Sequence, residues 1–151
     1  MTVTARTIVL AARPDGKPRP ADFRMDSAVL PEPRPGHVLL QTLWLSLDPY
    51  MRGMMSDGPS YGAATELGHA LPCDAVARVL VLQDPGFKPG DFVLVDDVWR
   101  DHMVRDAADL RKLDPAVAPV QTALGVMAMP GLTAYTGLKH VGRPKARARL
   151  S

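Results

Sequence analysis

Apolar positions in this chain fall in short runs separated by Pro- and Gly-rich turns. Residues 6–11 (RTIVLA) are rich in β-branched and aliphatic side chains and predict a strand. ARPDGKPRP follows as a turn, and residues 23–30 alternate loosely as a second strand. PEPRPG, with Pro at every second position, is a stiff extended connector. Residues 37–47 (HVLLQTLWLSL) form a long apolar run and predict a buried strand. Asp48-Pro49 then opens a turn or short helix, Asp suiting the N-cap and Pro the first helical position. Residues 53–68 read as loop. Residues 75–82 (AVARVLVL) and 92–95 bracket the turn DPGFKPGD, which predicts an antiparallel hairpin. Another short strand is expected at 99–104, and an Asp-Pro break follows 109–113. Residues 120–127 have helical composition, and 132–140 predict a helix after a Met-Pro-Gly stop. The expected fold is mainly β with short C-terminal helices, its central strands at 38–45 and 75–82, and not a βαβ array.

Composition narrows the class. At 151 residues and 46% apolar content the chain can bury a core. The net charge of +2 conceals an asymmetry. Five of the 18 basic residues lie at or after Lys139, and residues 1–138 carry 13 bases against 16 acids, a charge of −3. The basicity is that of a tail, which argues against nucleic-acid binding. One cysteine, Cys73, excludes an internal disulfide framework or a four-cysteine zinc site and fits a reducing cytoplasm. No apolar stretch reaches the length of a membrane span, so no membrane partner is expected.

Three segments in order, LSLDPYMRGMM (45–55), DPGFKPGDFVL (84–94) and MPGLTAYTGLK (129–139), resemble the medium-chain dehydrogenase/reductase superfamily. The nearest branch is similar to the zinc-independent, NADPH-dependent 2-alkenal/enone reductases of the prostaglandin and leukotriene type. The likeness spans residues 6–145. It implies a GroES-like, partly open barrel for residues 1–120, a helical connection at 121–145, and a Rossmann domain after it that holds NADP. Residues 146–151 (ARARLS) depart from the family pattern, so a chain truncated before that domain is expected. Where the family usually has glycines before the strand at 75–82, this chain has Cys73, Asp74 and Ala77. No G-x-G-x-x-G occurs, and no independent nucleotide site is expected.

The resemblance implies that Tyr50 faces nicotinamide and substrate as a catalytic residue, and that Met129 and Thr133 approach the cofactor. On the residues alone, Tyr50 is equally a boundary phenol with a packed ring and a wet hydroxyl. Thr133 is also an ordinary helix-start residue. Arg52 is either ion-paired or a phosphate attractor, and Met51, Met54 and Met55 either line an apolar pocket or fill core. His69, after Glu66 and Gly68, has no cysteine partner in the preceding strand end, so no metal site is expected. The expected function is the substrate-side N-terminal domain of an NADP-dependent oxidoreductase that reduces the C=C bond of α,β-unsaturated carbonyls, inactive alone. The partner would be a small-molecule enone or enal. The alternative is a stand-alone module that binds an apolar small molecule or a partner reductase. Apolar residues exposed at 120–141, among them Leu124, Val126, Met127, Leu132 and Leu138, would promote self-association.

Overall fold

The computed structural model describes residues 2–60 and 62–144. Strands β1 (Thr4–Leu10) and β2 (Phe23–Val29) form an antiparallel hairpin in register from Thr4↔Val29 to Leu10↔Phe23. The remaining strands are β3 (His37–Leu45), β4 (Pro72–Leu82), β5 (Phe92–Val98), β6 (His102–Asp106) and β7 (Arg111–Leu113). They make one antiparallel sheet in the order β6-β3-β4-β5-β7. A bridge from Thr7 to Arg100 ties β1 to it, with Ile8 N–H donating to the Trp99 carbonyl at 2.8 Å. The expected GroES-like arrangement is therefore present as two sheets joined at β1, without closure into a ring.

β4 is the centre. Ala75, Val76 and Ala77 are all fully buried, so both faces of the strand are covered. That explains why its sequence is a continuous apolar run and not an alternating one. One face joins Val38, Leu40, Val93, Val95 and Met103, and Val76 on the other meets Val120 and Ala123. Two register shifts between β3 and β4, at Leu39/Leu40 and Thr42/Trp44, bend the pair.

Several boundaries differ from those read in the sequence. β4 starts at Pro72, three residues early, because it pairs with β5 as far as Val98; Pro is tolerated as the first residue of a strand. Residues 99–101 turn, and the strand expected at 99–104 is β6, at His102–Asp106. The short helix α1 (Tyr50–Met54) has Pro49 at its N-cap, and the Asp48 side chain makes no capping bond. Residues Val120–Leu124 form a 3-10 turn, anchored by Thr122 Oγ1 donating to the Pro119 carbonyl at 2.7 Å. Met-Pro-Gly is not a stop. It begins helix α2 (Met129–Thr136), where Pro130 sits in a first turn that needs no N–H. Gly131 is required there, since a Cβ would overlap the Val126 carbonyl. The chain winds on more loosely through Gly137–Gly142. Among the described residues no helix is long and apolar enough to cross a membrane.

One register pair joins like charges. Asp74 on β4 faces Asp96 on β5. The hydrogen bond between these carboxyls, then burial, then the charges of Asp96 and Asp48, push Asp74 up to about 6.

Two outcomes follow from this architecture. Leu40→Ala removes a fully buried side chain from the main cluster and should cost about 2–5 kcal/mol, read as a lower urea midpoint at constant m-value. A loss below about 1 kcal/mol would place Leu40 outside the packed core. For the carboxyl pair, folded Asp74 holds its proton above the ordinary 3.8, so the folded state binds more protons between about pH 4 and 6. The contribution of this pair to stability therefore falls as pH rises through that interval. Asp96→Asn should flatten this slope and stabilise the chain by about 0.5–1 kcal/mol at pH 8. Equal urea-midpoint shifts at pH 4 and pH 8 would show that the two carboxyls do not interact.

Candidate functional site

The end of β3 is clamped. Ser46 N–H donates to the Asp74 carbonyl at 2.8 Å, and Asp74 N–H donates to Ser46 Oγ at 3.1 Å. From this fixed point Leu47, Asp48 and Pro49 lead into α1. One turn apart on that helix, Met51 and Met55 are buried with Leu10, Leu71 and Cys73. They are core, and Met54 packs partly against the same cluster. Anchoring this face leaves Tyr50 on the open side, 41% exposed. Burial, reinforced by Asp48, Asp74, Cys73 and Asp96, raises the Tyr50 phenol above its ordinary value. The hydroxyl is thus held protonated, as a hydrogen-bond donor. Among the described residues Arg52 meets no acid: it donates to Ser56 Oγ at 2.7 Å and to the Gly16 carbonyl at 2.9 Å, bracing α1 against the β1–β2 connection.

Met129 and Thr133 stand exposed on α2, a helix with no buried residue. Among the described residues no hydrogen bond, ion pair or shared apolar cluster joins them to Tyr50. Tyr135, also exposed, accepts from Lys139 Nζ at 2.5 Å. Val126, Met127, Leu132 and Leu138 are exposed as expected, whereas Leu124 packs against Val120 and Ala123.

His69 lies at the surface with Nδ1 3.7 Å from Glu66. Cys73 is buried, and burial, followed by the charges of Asp97 and Asp74, pushes its thiol up to about 12. It is therefore a poor nucleophile at neutral pH. The positions where the family usually has glycine form regular β4 backbone, with Cys73, Asp74 and Ala77 paired to Asp97, Asp96 and Val93. The left-handed glycines Gly16, Gly36, Gly68 and Gly90 lie in turns, and none of them leads from a strand into a helix N-terminus. These four glycines therefore do not form the strand-turn-helix cradle in which a dinucleotide's pyrophosphate sits.

One arrangement was not expected from the sequence. The Asp97 carboxylate is completely buried; its Oδ1 accepts from Arg105 and is ion-paired with Arg100 at 2.8 Å. Between Lys88 and Asp114 the sequence is rich in charged residues of both signs, and nothing there separates a buried acid from its exposed neighbours.

Residues 6–113 match the family described as the N-terminal domain of oxidoreductase. The chain is 44% identical over 140 residues to NADPH-dependent curcumin reductase of Escherichia coli, covering 93% of this chain and 41% of that protein. It is 38% identical over 141 residues to prostaglandin reductase 1 of Rattus norvegicus, covering 90% of this chain and 40% of the relative. In structure it is similar to CurA from Vibrio vulnificus in complex with NADPH, with a TM-score of 0.80 and 38% identity over 93% of this chain and 42% of that one. The chain spans about two-fifths of the length of these relatives. It belongs to the family of oxidoreductase N-terminal domains.

Proposed function

We propose that this chain is the substrate-side domain of a cytoplasmic NADP-dependent reductase acting on the C=C bond of α,β-unsaturated carbonyls. The observation that carries this reading is Tyr50: a backbone fixed by the Ser46–Asp74 clamp, a helix anchored by Met51 and Met55, and a neutral phenol left half-exposed. The names of the relatives, a curcumin reductase and a prostaglandin reductase, support the substrate class. Bound NADPH would supply the hydride; this chain supplies orientation and electrostatics. As the β-carbon is reduced, negative charge develops on the carbonyl oxygen. A hydrogen bond from a neutral phenol strengthens as that charge grows, whereas a phenolate would oppose it. Burial, reinforced by the nearby aspartates, raises the phenol further above its ordinary value, so it stays in the donating form.

No left-handed glycine among the described residues leads from a strand into a helix, and the cofactor's phosphates would sit in the part of the relatives that this chain does not span. Met129 and Thr133 are the positions of this chain that would border the nicotinamide. The apolar, exposed α2 is the surface that would meet the cofactor domain, and without that cover it favours self-association. Alone, the chain would catalyse no reduction.

Calorimetry with NADPH and the chain at micromolar concentration is expected to show no binding. A micromolar dissociation constant would reveal a nucleotide site outside the glycine-turn pattern. Joining residues 1–145 to the cofactor domain of a relative allows the test of Tyr50. There Tyr50→Phe should lower kcat/KM for an enone by about 5- to 150-fold, equivalent to roughly 1–3 kcal/mol, with NADPH affinity nearly unchanged. Unaltered steady-state kinetics with a modest drop in Tm would make Tyr50 a packing residue only.

A further inference from the structure

Both tryptophans of the chain, Trp44 and Trp99, border a single groove. It has a volume of about 530 Å³ and lies between the β1–β2 hairpin, the end of β3 and the turn after β5. Its walls are apolar. Ile8 and Met25 are cross-strand partners on the hairpin, Trp44 and Leu47 come from the β3 end, and all four are exposed. Apolar surface gathered in this way is unfavourable in water and favourable once covered.

The polar rim carries an imbalance of charge. Arg6 is paired with Asp101 at 2.7 Å. Arg100 shares its acceptor: Asp97 Oδ1 takes the guanidinium groups of both Arg100 and Arg105, so one carboxylate faces two cations. Asp97 is fully buried, but the Arg100 side chain is 27% exposed and lines the groove. Behind the groove wall, Arg100 Nε, Trp99 Nε1 and Thr42 Oγ1 are buried and have no hydrogen-bond partner among the described residues, so the exposed part of Arg100 is what the groove offers a ligand. We propose that the groove binds an amphipathic monocarboxylate, its apolar chain on Ile8, Met25, Trp44 and Leu47 and its carboxylate on Arg100. The guanidinium fork matches a carboxylate geometrically and supplies the charge that Asp97 does not neutralise alone. A neutral alcohol of the same length would leave that charge uncompensated, and a cationic amphiphile would be repelled. The volume suits a ligand of this size. Tyr50 is not among the residues lining the groove, and the site does not depend on the reductase reading.

The two tryptophans report occupancy directly. Titration of the chain with decanoate, below its micelle threshold, is expected to give a saturable blue shift of tryptophan emission. Decanol and methyl decanoate should bind about 10-fold more weakly. Arg100→Gln should bring decanoate down to the level of decanol and leave decanol unchanged. Met25→Glu, at an exposed position, should weaken decanoate by a similar factor without touching the Asp97 network. Circular dichroism of each variant establishes that it is folded; if Arg100→Gln is not, Met25→Glu and the ligand series decide. A non-saturable response overturns the proposal. So does equal affinity for decanoate and decanol, tighter binding of decyltrimethylammonium, or a folded Arg100→Gln or Met25→Glu chain that keeps the wild-type preference for carboxylate.

Discussion

The structure depends on β4, a strand covered on both faces and hydrogen-bonded along both edges. Its neighbours β3 and β5 pair with it over most of their lengths, and its two faces lead to separate apolar clusters. A strand in this position must satisfy every backbone group in the ladder and fill two cores with small or branched side chains. Ala75, Val76, Ala77 and Val79 do so. The segment that carries Tyr50 is held relative to this strand: Ser46 is bonded to Asp74 on it, and Cys73 within it belongs to the cluster that anchors α1.

Tyr50 shows how such a scaffold positions an exposed side chain. Its ring is not held by a deep pocket of its own. The two methionines on the opposite face of a five-residue helix fix the helix, and the strand end fixes where the helix starts. A helix of this length has little stability of its own, so its geometry comes from packing. The contrast with α2 is instructive. That helix is longer and apolar, yet it buries none of its residues. An apolar helix without cover has the composition of an interface segment, in keeping with relatives more than twice the length of this chain.

The acidic residues of β4 and β5 do different work according to which side of the sheet they reach. Asp74 and Asp96 lie opposite one another and compete for a proton. Asp97, one residue on, points inward, where it survives burial only because two guanidinium groups meet it. The alternation of a strand thus turns two consecutive aspartates into a titrating pair member and a buried counter-ion.

Much of the β architecture was legible in the sequence, because runs of Val, Leu and Ile between Pro-Gly turns have few other ways to hide apolar surface. The runs at 37–47 and 75–82 and the DPGFKPGD turn placed the central strands and their hairpin, whereas a role for Tyr50 came only from the resemblance carried by LDPYMRG. Strand ends were less legible: β4 begins at Pro72 because its partner continues to Val98, which is a property of the pair and not of either segment. The Met-Pro-Gly segment read as a stop because proline breaks helices, and only the turn around Val126 shows that it starts one. Tertiary structure alone decided that Met51 and Met55 are core, that Arg52 braces a loop, and that Asp97 and not Asp96 is buried between arginines. The physical reason is the same in each case: residue type sets what a side chain can do, while burial and partner are set by strands far away in the chain.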